Sequence, residues 1–70
     1  MKTGTIKLEG IQNQQDADKV LHALNEVWGV RQAEVSHVTG EAIFSYDEQA
    51  ASEQDFEQAI LDSGYEVVKS

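Results

Sequence analysis

Hydrophobic and polar residues alternate along the chain with two different periods. A period of two, typical of strands with one buried face, occurs over residues 5–9, 30–37 and 41–47. Spacings of three and four, typical of amphipathic helices, occur over residues 16–28 and again after Ser52. Residues 65–69 form one more short segment with strand character. The predicted order is therefore strand, helix, strand, strand, helix, strand.

Residues with special backbone preferences mark the ends of these elements. Gly29 and Gly64 each follow a helical pattern, as glycines at helix C-termini commonly do. Ser52, followed three residues later by a carboxylate, has the pattern of a capping box at the start of the second helix. Thr39 and Gly40 indicate a tight turn between the second and third strands, which predicts an antiparallel hairpin.

This order of elements predicts a ferredoxin-like βαββαβ fold of the α+β class. Four antiparallel strands would form one sheet, and two helices would cover one of its faces. The other face would be polar apart from Ile43 and Val68. The predicted core consists of Ile6, Leu8, Ile11, Val20, Leu24, Val27, Val30, Val35, Phe44, Phe56, Ile60 and Val67.

Length and charge restrict the possible functions. Seventy residues allow only one small core, so residues 1–70 are predicted to form one domain. Thirteen acidic and five basic residues give a formal net charge of −8, which disfavours nucleic acid and anionic membranes as partners. The absence of cysteine excludes thiolate catalysis and thiolate metal ligands. Because no signal sequence or membrane-spanning run is visible, we expect a cytoplasmic protein.

A set of short motifs in a fixed order covers nearly the whole chain. The motif residues are segment 10–16, Val20, Ala23, Leu24, Gly29, Val30, Ala42, Tyr46, Asp47, Ala59, Ile60 and segment 64–67. Together they resemble the heavy-metal-associated domain family, which includes small bacterial copper chaperones and N-terminal domains of metal-transporting ATPases. The resemblance implies the ferredoxin-like fold that the order of elements also predicts.

The metal loop of that family reads Gly-Met-x-Cys-x-x-Cys, and its two thiolates hold Cu(I) or a similar soft ion. At the matching positions this sequence has Ile11, Asn13 and Asp16. Ile11 retains an apolar side chain, but the two soft ligands are replaced by oxygen ligands that Cu(I) does not favour. Tyr65 matches the tyrosine that shields the metal in bacterial copper chaperones. Here we expect Tyr65 to pack over Ile11 or to form a hydrogen bond near Asn13.

Asn13 and Asp16 also have the spacing of a helix cap. Asparagine is a preferred N-cap residue, and a carboxylate three residues later completes a variant of the capping box. We therefore expect Asn13 to accept a hydrogen bond from the Asp16 N–H group. The Asp16 carboxylate is expected to accept one from the Asn13 N–H group in return, so that the loop closes on its own side chains.

Three other features are candidate sites outside this loop. Asp18, His22 and Glu26 are spaced four residues apart on the first helix, and such a row could hold Zn(II) or Cu(II) weakly. A solvated helix face with local ion pairs is the more common reason for this pattern. The sequence leaves open whether Trp28 is buried at a corner or exposed as a binding anchor. Leu61 lies off the core side of the second helix and becomes a candidate interface residue beside an exposed Trp28.

These observations leave two main functional hypotheses. In the first, the chain is a non-enzymatic interaction module without a cofactor, and it binds a basic or apolar protein surface or a second copy of itself. In the second, the chain handles a metal ion at a non-thiolate site formed by Asn13, Asp16 and perhaps His22. A weaker third hypothesis is a regulatory domain for a small ligand. No combination of residues predicts a catalytic site.

Overall fold

The computed structural model describes residues 1–68, and it contains the predicted fold. Its four strands form a single antiparallel sheet in the order β2-β3-β1-β4, with two helices packed against it. This topology confirms the ferredoxin-like βαββαβ architecture. The elements are β1 (Lys2–Glu9), α1 (Gln14–Asn25), β2 (Val30–Ser36), β3 (Glu41–Tyr46), α2 (Glu53–Asp62) and β4 (Glu66–Val67).

Two element boundaries differ from the sequence prediction by three residues. β1 begins at Lys2 rather than at residue 5, because its first residues pair with the end of β3 up to Tyr46. α1 ends at Asn25 rather than at Trp28, and Glu26 is its C-cap residue. The apolar pattern continues past the helix because Val27, although it lies in the following turn, still packs against the core.

The last strand is shorter than predicted within the described residues. β4 contains Glu66 and Val67, which pair with Glu9 and Leu8 of β1. The backbone N–H group of Val68 extends this pairing by donating to the Lys7 carbonyl oxygen at 2.8 Å. Lys69, which the sequence pattern includes in this strand, lies outside the described residues.

A cluster of aromatic rings between the sheet and α2 forms the centre of the core. The rings of Phe44 and Phe56 stack with centroids 4.2 Å apart, and Tyr46 packs at a tilt against both. Leu24 of α1 and Ile60 of α2 are fully buried in the same cluster. Since burial of large apolar side chains is the main source of folding free energy, this cluster fixes both helices on one sheet face.

Seven of the twelve predicted core residues are buried, and the other five are only partly buried. The five lie at the periphery, because β2 and β4 are edge strands and the loops beside α1 are open to solvent on one side. They nevertheless pack against the buried cluster. The five partly buried residues are Ile11, Val27, Val30, Val35 and Val67.

α2 begins and ends as the sequence predicts, whereas Gly29 does not cap α1, because that helix ends with Glu26 as its C-cap residue and Gly29 lies in the turn that follows. The Asp55 carboxylate accepts a hydrogen bond from the Ser52 N–H group at 2.9 Å, as predicted for a capping box at the start of α2. Gly64 follows the C-cap residue Ser63. α1 has 12 residues and α2 has 10, and no helix of the described residues is long and apolar enough to cross a membrane.

The burial of Leu24 gives a direct test of this packing. We expect Leu24→Ala to lower the free energy of unfolding by about 2–5 kcal/mol, because it leaves a cavity in a fully buried site. Leu61→Ala is the matched control, since Leu61 is 46% exposed and should change stability by less than about 0.5 kcal/mol. Denaturant unfolding monitored by circular dichroism measures both. Equal losses from the two substitutions would contradict the packing described here.

Candidate functional site

Residues 10–13 form the loop between β1 and α1, called the first loop. In the heavy-metal-associated family that this sequence resembles, the metal loop occupies the same position. α1 begins immediately after the first loop at Gln14. The turn between α2 and β4 lies beside it, because Tyr65 in that turn contacts Asp16 in the first turn of α1. Two parts of the chain that are remote in sequence, residues 10–16 and the turn with Tyr65, therefore meet at this end of the domain.

Asn13 is the N-cap residue of α1. Its backbone is extended, with φ of −152° and ψ of 178°, and its side-chain Oδ1 accepts a hydrogen bond from the Asp16 N–H group at 3.0 Å. Its carbonyl oxygen accepts the first helical hydrogen bond, from the Ala17 N–H group at 3.2 Å. The predicted cap bond is thus present, and it occupies an amide N–H group that would otherwise lack a partner in the helix.

Both oxygens of the Asp16 carboxylate accept hydrogen bonds. The Tyr65 hydroxyl donates to Oδ1 at 2.6 Å, and the Gln12 N–H group donates to Oδ2 at 3.1 Å. The expectation that the Asp16 carboxylate accepts a hydrogen bond from the Asn13 N–H group is therefore wrong. The backbone donor is Gln12, one residue earlier. The Tyr65 hydroxyl, in the turn after α2, orients the carboxylate by its bond to Oδ1. The other oxygen, Oδ2, then faces the N–H group of Gln12, the residue before the N-cap.

These contacts change the acidity of both side chains in opposite directions. The Tyr65 hydroxyl, followed by the Gln12 N–H group, lowers the pKa of Asp16 below its ordinary value of 3.8. The same hydrogen bond raises the pKa of Tyr65 above 10.0. Both directions follow from one cause, since the bond requires an ionised carboxylate and a protonated phenol to be strongest. The carboxylate of Asp16 therefore stays ionised, and the phenol of Tyr65 stays protonated and neutral, over the whole neutral range.

Sequence reasoning identified most of this cluster but not all of it. Asn13, Asp16 and Tyr65 come together as the motif comparison implied, and Ile11 is partly buried against the core as an apolar residue of the loop. Gln12 was missed because it contributes only its backbone N–H group, which carries no side-chain signal. The Tyr65 bond is made to Asp16 rather than to Asn13 itself.

The row of polar residues on α1 divides into two separate pairs. His22 Nε2 lies 3.1 Å from a carboxylate oxygen of Glu26, and both side chains are largely exposed. Asp18 instead accepts a hydrogen bond from the Gln14 side chain at 2.9 Å. Within residues 1–68, no group of three or more histidine, cysteine, aspartate or glutamate side chains is arranged to hold a metal ion.

Trp28 and Leu61 are both exposed but lie at opposite ends of the helical layer. Trp28 is 83% exposed and follows the C-terminal end of α1. Leu61 lies in the last turn of α2, near Tyr65 and hence near the start of α1. The structure therefore shows Trp28 as exposed, and it places Leu61 too far away to join it in one patch.

Comparison with solved structures gives matches over nearly the whole chain, although no family model matches the sequence and no curated protein does so either. The structure of the CopZ metallochaperone matches with a TM-score of 0.92 and 30% identity, over 96% of this chain and 100% of that one. The chain belongs to the heavy-metal-associated domain family. This assignment agrees with the motif resemblance and with the topology of the sheet.

Other members of the family match at similar levels. Oxidized MerP from Ralstonia metallidurans CH34 matches with a TM-score of 0.90 and 27% identity, over 96% of this chain and 93% of that one. A copper binding domain from HMA7, a P-type ATPase, matches with a TM-score of 0.92 and 25% identity, over 99% and 96% of the two chains. The scaffold of the present chain is thus that of copper-chaperone-like domains.

The donor atoms of this heavy-metal-associated domain do not fit Cu(I). The chain contains no cysteine, and the two ligand positions of the loop carry the oxygen donors of Asn13 and Asp16. Cu(I) is a soft ion that selects thiolate and thioether sulfur. In addition, the Asn13 Oδ1 atom and both Asp16 oxygens already accept hydrogen bonds within the protein. The scaffold is retained, while the chemistry of the loop differs.

The cap bond of Asn13 can be tested by its removal. We expect Asn13→Ala to lower the free energy of unfolding by about 0.5–2 kcal/mol, because it leaves the Asp16 N–H group without its acceptor. Gln12→Ala is the matched control, since Gln12 participates through its backbone alone. Thermal or denaturant unfolding measures the difference. A neutral Asn13→Ala would show that the cap contributes nothing to the loop.

The hydrogen bond between Tyr65 and Asp16 predicts a specific pH dependence. Because the pKa of Asp16 is lowered in the folded state, the stabilisation is complete well above 3.8 and is lost as the pH falls through the lowered value. Tyr65→Phe removes the largest cause of that shift. We therefore expect the stability difference between the native protein and Tyr65→Phe to be constant from pH 6 to about pH 5 and to shrink at lower pH.

Unfolding curves at a series of pH values measure this difference, and Tyr46→Phe serves as the matched control because the Tyr46 ring is buried in the aromatic cluster away from Asp16. A difference for Tyr65→Phe that stays constant down to the acid limit would contradict the role of the Asp16 carboxylate.

Proposed function

We propose that this chain is a non-enzymatic protein-interaction module built on the metallochaperone scaffold, and that it neither carries Cu(I) nor requires a cofactor. The proposal includes a cytoplasmic location, where a copper-chaperone-like domain would meet its partners. It has two parts, which concern the first loop and the partner, and each part rests on different residues.

The first part is supported by the closed hydrogen-bond network of the first loop, which is the observation that carries the proposal. Three oxygen atoms at the two former ligand positions accept bonds from Asp16 N–H, Gln12 N–H and the Tyr65 hydroxyl. A metal would have to displace these donors and would gain only oxygen ligands. The N-terminal end of α1 also opposes a cation there, because the helix dipole is positive at that end.

The second part is supported by the charge of the chain. A formal net charge of −8 on 70 residues favours association with a basic protein surface and speeds the approach of such a partner. The same charge opposes nucleic acid, which requires a basic surface to neutralise its phosphates. It also opposes self-association, because two copies repel each other.

A metal titration tests the first part. We expect the purified protein to remove no stoichiometric Cu(I) from a competing chelator, and to behave in the same way with Zn(II). Absorbance of the chelator complex reports the transfer directly. Stoichiometric capture of Cu(I) would overturn the proposal, and capture of Zn(II) alone would instead favour a non-thiolate site that includes Asn13, Asp16 or His22.

Restoration of the family ligands provides the positive control for that titration. Asn13→Cys combined with Asp16→Cys should gain Cu(I) binding, because the surrounding scaffold is that of a copper chaperone. The metal-free form of this double variant should be less stable than the native protein, since it loses the cap bond and the bond to Tyr65. Each single cysteine variant supplies only one thiolate and should bind Cu(I) much more weakly. A double variant without Cu(I) affinity would show that more than the ligands has changed.

A further inference from the structure

Trp28 is the most exposed large aromatic side chain of the described residues, and the backbone beneath it is held rigidly. It occupies the second position of a tight turn in which the Val30 N–H group donates to the Val27 carbonyl oxygen at 3.3 Å. Gly29, the third residue of the turn, has a φ of +96°, which glycine adopts without strain. Val27 and Val30, on either side, pack against the core.

Two further contacts fix this turn to the rest of the domain. The Asp47 N–H group, directly after β3, donates to the Gly29 carbonyl oxygen at 2.9 Å. A side chain at Gly29 would meet Ala50 at 2.8 Å, so the turn and the loop before α2 are in close contact. The indole is therefore presented to solvent by a well-anchored backbone. An anchor that is already ordered loses little conformational entropy when a partner binds.

The surroundings of Trp28 are suited to a positively charged side chain. An open depression of about 470 Å³ lies beside the ring, and its charged lining residues are Glu26, Asp47 and Arg31. The C-terminal end of α1, which is the negative pole of the helix dipole, points toward this region. The basic residue in its last turn is His22, whose Nε2 lies 3.1 Å from the exposed Glu26 carboxylate. An exposed indole face also attracts ammonium and guanidinium groups, for which tryptophan is the most favourable ring.

We propose that this surface, defined by Trp28, Glu26 and Asp47 and called the Trp28 surface, binds a lysine- or arginine-rich segment of a protein partner. The inference rests on the proposed interaction function and adds the location of the contact and the chemistry of the partner. A basic side chain would lie over the indole, and its charged group would meet the carboxylates. The surface lies at the opposite end of the domain from the first loop, so the two can act independently.

A second copy of this chain fits the Trp28 surface less well. Two copies each carry a net charge of −8, and one aromatic ring buries about 150–250 Å², whereas a stable interface needs about 800 Å² on each side. Arg31 is the lining residue that opposes a basic segment. Arg31 therefore provides a test of the charge of the partner, because removal of its positive charge should strengthen the binding of a cation and weaken the binding of an anion.

Binding of short synthetic peptides to the native protein tests the proposal. Trp28 is the only tryptophan of the chain, so its fluorescence reports contact with the indole directly. We expect a lysine- and arginine-rich peptide to change this fluorescence saturably, and a matched glutamate-rich peptide to leave it unchanged. Affinity should fall as salt is added, as expected for contacts between opposite charges.

Calorimetry on variants then locates the contact. Trp28→Ala should weaken binding of the basic peptide by about tenfold, and Trp28→Phe should weaken it less. Glu26→Gln and Asp47→Asn should each weaken it by about two- to threefold, whereas Arg31→Gln should strengthen it by a similar factor. Glu9→Gln and Glu66→Gln are the matched controls, because they remove the same charge from the exposed strand ends β1 and β4, next to the first loop.

The outcomes separate this inference from the proposed function. Basic-peptide binding that is insensitive to Trp28→Ala, or equal losses from all four charge-neutralising variants, would overturn the Trp28 surface while leaving an interaction role intact. Weaker binding of the basic peptide by Arg31→Gln, or a fluorescence response to the acidic peptide, would contradict a basic partner and indicate an acidic one. Concentration-dependent association in sedimentation, lost in Trp28→Ala, would assign the surface to a second copy instead. Absence of any peptide binding would overturn both the Trp28 surface and the proposal of a basic partner. The Cu(I) titration tests the first loop separately, so its result does not depend on the peptide experiments.

Discussion

The hydrogen bond between the Tyr65 hydroxyl and the Asp16 carboxylate joins parts of the chain that are 49 residues apart. It links the start of α1 to the turn after α2, at the end of the domain where the family holds its metal. With the bonds from the Gln12 and Asp16 N–H groups, it provides partners for polar atoms that would otherwise face solvent or a ligand. In this chain, an ion–dipole contact within the protein connects these two parts.

The heavy-metal-associated scaffold tolerates this change because its stability comes from elsewhere. The aromatic cluster of Phe44, Tyr46 and Phe56, together with Leu24 and Ile60, holds both helices on the sheet, and the first loop adds only the partly buried Ile11 at its edge. A small core of this kind leaves only a narrow margin of stability, so a loop that satisfies its own donors is favoured over one with open ligand positions. The fold and the metal chemistry are therefore separable properties in this family, as function is generally separable from fold.

The two ends of the domain differ in what they present to solvent. At one end, the polar atoms of the first loop are occupied within the protein. At the other end, Trp28 projects from an anchored turn between the C-terminus of α1 and the loop that follows β3. The ring is exposed in the turn that follows α1, which ends at Asn25, three residues before Trp28.

The sequence by itself determined the order of elements, the faces of the strands and the N-cap residues of both helices, because these depend on residues that are close together along the chain. Period-two alternation placed Ala42, Phe44 and Tyr46 on the buried face, and local spacing identified Asn13 as the cap of α1. Only the tertiary structure decided which hydrogen-bond donor reaches Asp16, how far the edge residues such as Val35 are buried, and that Trp28 and Leu61 lie apart. Those properties depend on distances between residues that are remote in sequence, and hydrophobic periodicity contains no information about such distances.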